Sequence, residues 1–110
     1  MSAFFESEII KDALDDINKL QEDVYGKLVH FHMMTYDEQI DHVSKLTELL
    51  DKQRIMYTRL SLSDDPDAVI MKESLNKTVT MMGYPEGTDI AVLFKNMHAT
   101  IDALKDFLEA

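Results

Sequence analysis

The stretch "TYDEQIDHVSKLTELL", from Thr35 to Leu50, carries the signals that decide the fold. Thr35 is followed three residues later by Glu38, which is the capping-box pattern of a helix start. Apolar residues then recur at steps of three and four, the spacing of one face of an α-helix, with polar Gln53 interrupting the series. They are Ile40, Val43, Leu46, Leu50, Tyr57 and Leu60, with Leu49, Ile55 and Met56 widening the face. The sequence therefore predicts a long amphipathic helix over residues 36–61.

The segment upstream of Thr35 has the same apolar period. Acidic residues and lysines fill the positions between its apolar residues, as expected of a helix with one buried face. The apolar positions are Ile10, Ala13, Ile17, Leu20, Val24, Leu28 and Phe31. A helix is predicted over residues 6–29, with Gly26 as a weak point because glycine costs about 1 kcal/mol relative to alanine inside a helix.

Downstream, "SDDPD" marks the start of a third helix. Asp65 precedes Pro66, and a side-chain oxygen before a proline at the first helical position favours a helix start. Gly83 supplies the residue that commonly ends a helix. Between them the apolar positions are Ala68, Met71, Leu75, Val79 and Met82. The sequence predicts a helix over residues 66–82.

A turn and a fourth helix complete the chain. A turn beginning at Tyr84 would place Pro85 second and Gly87 last, where a type I turn favours them. Thr88 is then expected to cap a helix over residues 89–109. Its predicted buried positions are Ile90, Leu93, Met97, Ile101, Leu104 and Leu108, supported by Phe94 and Phe107.

These elements predict an all-α protein. The 110 residues are the length of one domain, so residues 1–110 are expected to form a single helical domain. Short connections favour an antiparallel four-helix bundle. Because the third helix is shorter than the first two, the helix ends need not match, and unmatched ends favour a partner chain. An extended helical hairpin that dimerises is therefore the alternative to a monomeric bundle.

Composition limits the partners. The chain has 21 acidic and 11 basic residues and a net charge of −10, which disfavours binding to nucleic acid and to anionic membranes. There is no cysteine, and the first twenty residues lack the basic start and apolar run of a signal peptide. No apolar run approaches the roughly 20 residues that span a bilayer. We expect a cytoplasmic protein.

Candidate catalytic and metal-binding groups are sparse. No glycine-rich phosphate loop and no nucleophile motif occur, so the sequence predicts no enzyme, no catalytic residue and no cofactor. Metal binding is an alternative, through His30, His32 or His98 with neighbouring carboxylates. His30 and His32 are two residues apart, which places them on different faces of a helix, and no Glu-x-x-His pattern of the di-iron bundles is present. The first hypothesis therefore includes no metal site.

Partner binding is the chemistry that the residues favour most. Phe4 and Phe5 cannot share one face of a helix, so one is expected to pack against the helix start and the other to be an exposed anchor for a protein partner. Basic residues near an acidic corner could recognise an acidic partner or pair within the chain. The candidate partner-binding residues are Phe4, Phe5, Arg54, Arg59, Asp64 and Asp65. The eight methionines either fill the core or form an adaptable surface.

The chain resembles an uncharacterised family of small helical proteins found in cyanobacteria and in their tailed phages. The resemblance rests on "FFESEI" at residues 4–9, "YGK" at 25–27, "RIMYTRLSLSDD" at 54–65 and "LFKNMHATIDALK" at 93–105. The stretch "PEGTD" at 85–89 is more similar to the phage-borne copies. The resemblance implies an intracellular helical protein without a catalytic residue or cofactor to carry over. A phage-borne copy would act in the host cytoplasm, on a host complex or in replication or virion assembly.

The sequence thus predicts a non-enzymatic, acidic helical module that self-associates and binds a protein partner of unidentified kind. Two alternatives stay open. One is the metal-binding helical bundle. The other is an acidic mimic of nucleic acid that binds a basic protein, which the net charge of −10 favours.

Overall fold

The computed structural model of the chain describes residues 3–110, and within this range the regular structure is entirely helical. The helices are α1 (Ala3–Glu6), α2 (Glu8–Leu28), a 3-10 helix (Phe31–Met33), α3 (Tyr36–Ser61), α4 (Pro66–Met81) and α5 (Ile90–Glu109). The all-α class is therefore confirmed. The first predicted helix begins at Glu8, two residues after its predicted start, and Phe4 and Phe5 lie in a short helix, α1, that the sequence did not indicate.

Two predicted helix starts are present in atomic detail. The Thr35 hydroxyl accepts a hydrogen bond from the Glu38 backbone N–H at 3.2 Å, and the Glu38 carboxylate accepts one from the Thr35 N–H at 3.2 Å. At α4, the Asp65 carboxylate accepts from the Asp67 N–H at 3.0 Å, and Pro66 is the first helical residue. Each bond satisfies a backbone donor that has no partner inside its helix.

The start of α5 differs from the prediction by one residue. The turn runs from Pro85 to Thr88, whose N–H donates to the Pro85 carbonyl oxygen at 3.1 Å, and Gly87 occupies its third position with a φ of +87°. Asp89, not Thr88, caps α5, because its carboxylate accepts from the Ala91 N–H at 2.9 Å and from the Tyr57 hydroxyl at 3.2 Å. The second bond ties the start of α5 to α3, which a threonine one residue earlier would not do.

Helix α3 lies in the middle of the fold. Helix α2 runs antiparallel to it, as shown by Lys52 beside Asp16 at 3.9 Å and Lys45 beside Asp23 at 3.4 Å. Helix α5 is also antiparallel to α3, which follows from the Tyr57 bond to its first turn and the approach of its His98 to Asp51 at 3.7 Å. Helix α4 packs on α3 and α5, whereas the extensive packing of α2 is with α1 and α3. A closed ring of four helices is therefore not confirmed.

Two apolar clusters take the place of one bundle core. Leu49 packs with Ile17 and Val24 between α2 and α3. Its neighbour Leu50 belongs to the other cluster, which also contains Tyr57, Val79, Ile90 and Phe94. The molecule measures 46 × 34 × 19 Å, so it is about two helix diameters thick in its shortest dimension. Leu49 and Leu50 are consecutive residues of α3, and they face different cores.

Several residues predicted to be buried are exposed. These positions satisfy the helical period, but the flat arrangement leaves them without a neighbouring helix. They are Leu28, Ile55, Met71, Met82, Met97 and Phe107. The helical period identified the apolar positions correctly. These six side chains remain in contact with solvent because no neighbouring helix covers them.

Candidate interaction surface

The first and fourth helices meet at a corner that contains four of the six candidate partner-binding residues. The Phe4 backbone N–H donates to one oxygen of the Asp65 carboxylate at 3.0 Å, while the other oxygen caps α4. Asp64, which is exposed, precedes Asp65 in the chain. We call Phe4, Phe5, Asp64 and Asp65 the N-terminal corner. The sequence identified these residues separately, and the structure brings Phe4 and Asp65 into direct contact.

The two phenylalanine rings form an edge-to-face pair. Their centroids are 5.0 Å apart and their planes are 87° apart, which is a favoured aromatic geometry. Both side chains are half-buried. The expectation of one packed and one exposed ring is therefore wrong, because both side chains are half-buried to a similar degree.

The two candidate arginines lie apart from each other. Arg54 lines a groove of about 520 Å³ between α3 and α5, with Leu50 and Phe94 among its apolar residues. Its guanidinium is 3.7 Å from the Asp51 carboxylate, so the predicted pairing within the chain is confirmed for Arg54. Arg59 is exposed and has no carboxylate within 4 Å in residues 3–110. Arg59 is thus the candidate cation that stays available to a partner.

The histidines of the metal-binding alternative are not assembled into a site. His30 and His32 are exposed in the connection between α2 and α3. His98 is on α5, where its ring nitrogens approach the Asp102 carboxylate at 3.2 Å and the Asp51 carboxylate at 3.7 Å. Among the residues that the structure describes, no three histidine or acidic side chains are arranged to hold a metal ion.

His42 was not identified as a special residue from the sequence. It is 2% exposed, and neither ring nitrogen has a hydrogen-bond partner. The half-buried Phe31 ring lies 5.5 Å from it. Its spacing of four residues to Leu46 and seven to Leu49 was the available signal, because this spacing places it on the same face of α3.

Burial lowers the pKa of His42, because a charged imidazolium would lose its hydration in this position. Lys27 and Lys45 lower the pKa further, whereas Asp23 and Asp41 raise it. These four charged groups lie on α2 and α3, the helices that enclose the ring. His42 is therefore a buried neutral imidazole with two unpaired nitrogens.

Exposed apolar side chains concentrate on two surfaces. One is the α2–α3 connection, where Met33 is 74% exposed, and the other is the outer side of α4, where Met81 is 86% exposed. Of the seven methionines in the described range, five are exposed. This distribution favours the adaptable methionine surface over core filling. In residues 3–110, no helix combines the length and the apolar character needed to cross a membrane.

Comparison with known protein families gives a match over nearly the whole chain. A family model described as "Domain of unknown function (DUF1825)" matches residues 2–108. No curated protein and no solved structure matches the chain. The family match extends over α1 to α4 and over α5 up to its penultimate residue.

Proposed function

Because the chain belongs to the DUF1825 family, a domain of unknown function, we propose a function from its own surface. We infer that it is a non-enzymatic interaction or regulatory module of the cytoplasm, which binds a protein partner through the N-terminal corner. The observation that carries the proposal is the contact between Phe4 and Asp65, which holds an aromatic pair at the surface. If the chain is phage-encoded, the partner is a host protein complex.

The corner has the chemistry of a small interface centre. Aromatic residues are enriched at interfaces and contribute more binding free energy than most other contacts. A four-residue helix is too short to be stable alone in water, so α1 depends on its contacts with α2 and α4. Because these contacts fix the rings before binding, a partner would not have to order them. Exposed Asp64 provides a charge that can orient the partner.

Replacing Phe4 and Phe5 together by alanine is expected to weaken partner binding by about 2 kcal/mol, roughly thirtyfold in affinity. The rings are half-buried, and the backbone N–H that bonds Asp65 remains, so the far-UV circular dichroism should stay close to that of the wild type. The measurement is quantitative capture of the partner from a lysate of the cells in which the protein is naturally made.

Ile9→Ala provides the matched control, since Ile9 is a large exposed apolar residue near the corner but outside it. This control should retain partner capture. If the double alanine variant captures the partner as well as the wild type does, the N-terminal corner is not the binding surface.

The alternative of an acidic nucleic-acid mimic rests on a different observation, the net charge of −10. Asp12, Asp15 and Asp16 are exposed along α2 and could occupy the phosphate contacts of a basic protein. This alternative predicts a complex whose affinity falls steeply between 50 and about 200 mM salt. The corner proposal predicts a weak salt dependence, because its centre is aromatic. A salt titration of the captured complex therefore separates the two.

A further inference from the structure

Helix α4 has more large apolar side chains on its solvent side than on its packed side. Ala68 and Val79 are buried, and Leu75 packs against the Leu50 cluster. The exposed apolar residues on and next to α4 are Val69, Ile70, Met71, Met81 and Met82. Groups of exposed apolar side chains of this size commonly mark interaction surfaces. The outer side of α4 is therefore a candidate contact surface.

Six exposed residues on and next to α4 form three pairs, each pair at equal distances on the two sides of Asn76. Apolar residues lie five and six positions away on either side, and small hydroxyl residues lie two positions away on either side. At 3.6 residues per turn, all six fall within a sector of about 120°. We call this set the α4 face: Ile70, Met71, Ser74, Thr78, Met81 and Met82.

This symmetry matches the geometry of a two-fold dimer. When two copies of a helix pack antiparallel about a two-fold axis, each residue faces the position at equal distance on the other side of the axis. A two-fold axis that crosses the helix at the level of Asn76 would bring Met71 of each copy against Met81 of the other. Ser74 would face Thr78, and Ile70 would face Met82.

The centre of the α4 face permits close packing. The Thr78 hydroxyl donates to the Ser74 carbonyl oxygen at 3.1 Å, so this polar group is already satisfied within its own helix. The distance between packed helices depends on the side chains at the contact, and small central residues allow a close approach. Flexible methionines at both ends can then adapt to each other.

Charge also favours a second copy at this position. Two copies with a net charge of −10 repel each other, so their contact should lie where the surface is not acidic. Residues 70–82 contain Lys72, Lys77 and Glu73, a net charge of +1, and all six residues of the α4 face are uncharged.

We propose that the α4 face is the interface of a homodimer in which two α4 helices pack antiparallel about Asn76. This inference goes beyond the proposed partner binding, which uses the N-terminal corner. Residues 70–82 span only about 18 Å of helix, which buries less than the roughly 800 Å² per partner of a standard interface. The dimer is therefore reversible and concentration-dependent.

The test is sedimentation equilibrium of the full chain over a range of concentrations, for the wild type and four variants. Met71→Lys and Met81→Glu should each weaken dimerisation by at least about tenfold, because each buries a charge against a methionine. The double variant Met71→Lys/Met81→Glu should recover dimerisation, since the introduced lysine of each copy then faces the introduced glutamate of the other. Met33→Lys, on the other exposed apolar surface, should leave the dimer unchanged.

Three results would overturn the proposal: a wild type that stays monomeric up to about 1 mM, a double variant as weak as the single variants, or a loss of the dimer in Met33→Lys. Circular dichroism of each variant verifies folding, and the exposure of all three methionines predicts no loss. Partner capture by the same variants keeps the two proposals separate. If the protein is monomeric but still needs Phe4 and Phe5 to capture its partner, the dimer proposal is wrong and the proposal for the N-terminal corner stands.

Discussion

Leu50→Asp is expected to unfold the protein, whereas Met97→Asp is expected to leave it folded. Leu50 is 2% exposed and lies in the cluster formed by α3, α4 and α5, so an aspartate there would be an unpaired buried charge. Such substitutions cost more than about 4 kcal/mol, and native domains have only about 5 to 15 kcal/mol in total. Urea denaturation followed by circular dichroism measures the difference.

Met97→Asp is the matched control because the sequence assigned Met97 to the same kind of buried position. The structure shows it 40% exposed on α5, where an aspartate keeps its hydration. Its free energy of unfolding should stay within about 1 kcal/mol of the wild-type value. If Met97→Asp unfolds the protein as well, or if Leu50→Asp unfolds at the wild-type urea concentration, the described burial of these two side chains is wrong.

His42→Leu is expected to stabilise the protein, although most substitutions destabilise. The wild-type ring holds two buried nitrogens without hydrogen-bond partners. A buried unpaired polar group costs about 1 to 3 kcal/mol, and leucine removes this cost while filling a similar space. The measurement is the free energy of unfolding in urea at pH 7 for both proteins.

The same substitution should change the pH dependence of stability. Burial lowers the pKa of His42 in the folded state, so below the ordinary value of 6.5 the unfolded chain binds a proton that the folded protein does not. Wild-type stability therefore falls as the pH drops below 6.5, by up to about 1.4 kcal/mol per pH unit for one proton. The advantage of His42→Leu should widen over this range, and carboxylate effects cancel between the two proteins.

His32→Leu is the control for this experiment, because His32 is exposed in the connection between α2 and α3. Its pH dependence should follow that of the wild type. A constant difference between His42→Leu and wild type from pH 7 to about pH 5 would show that the imidazole takes up its proton equally in both states.

Local signals were sufficient to predict where α3 and α4 begin. The capping box of Thr35 and the Asp65–Pro66 start depend on residues within three positions of each other, and both are present in the structure. The start of α5 was predicted one residue early because Asp89 also bonds Tyr57, 32 positions away. Sequence patterns do not contain such distant contacts.

The difference between local signals and distant contacts also applies to the packing of the helices and to the candidate site. Leu49 and Leu50 were both predicted to be apolar positions of one helix, but no local pattern indicates that they face different cores. Phe4 and Asp65 were both candidates, yet their bond joins residues 61 positions apart. The spacing of His42 to Leu46 and Leu49 places it on the apolar face of α3, but this spacing alone does not distinguish a buried histidine from an exposed one.

The two oxygens of the Asp65 carboxylate link the N-terminal segment to the beginning of α4. One accepts from the Phe4 N–H and the other from the Asp67 N–H. Docking of α1 and formation of the first turn of α4 are therefore energetically coupled, since both orient the same group. Thermodynamic reciprocity requires that whatever stabilises one contact also favours the other. A ligand that lifts α1 from the corner would therefore also loosen the start of α4, and so act on a helix that it does not touch.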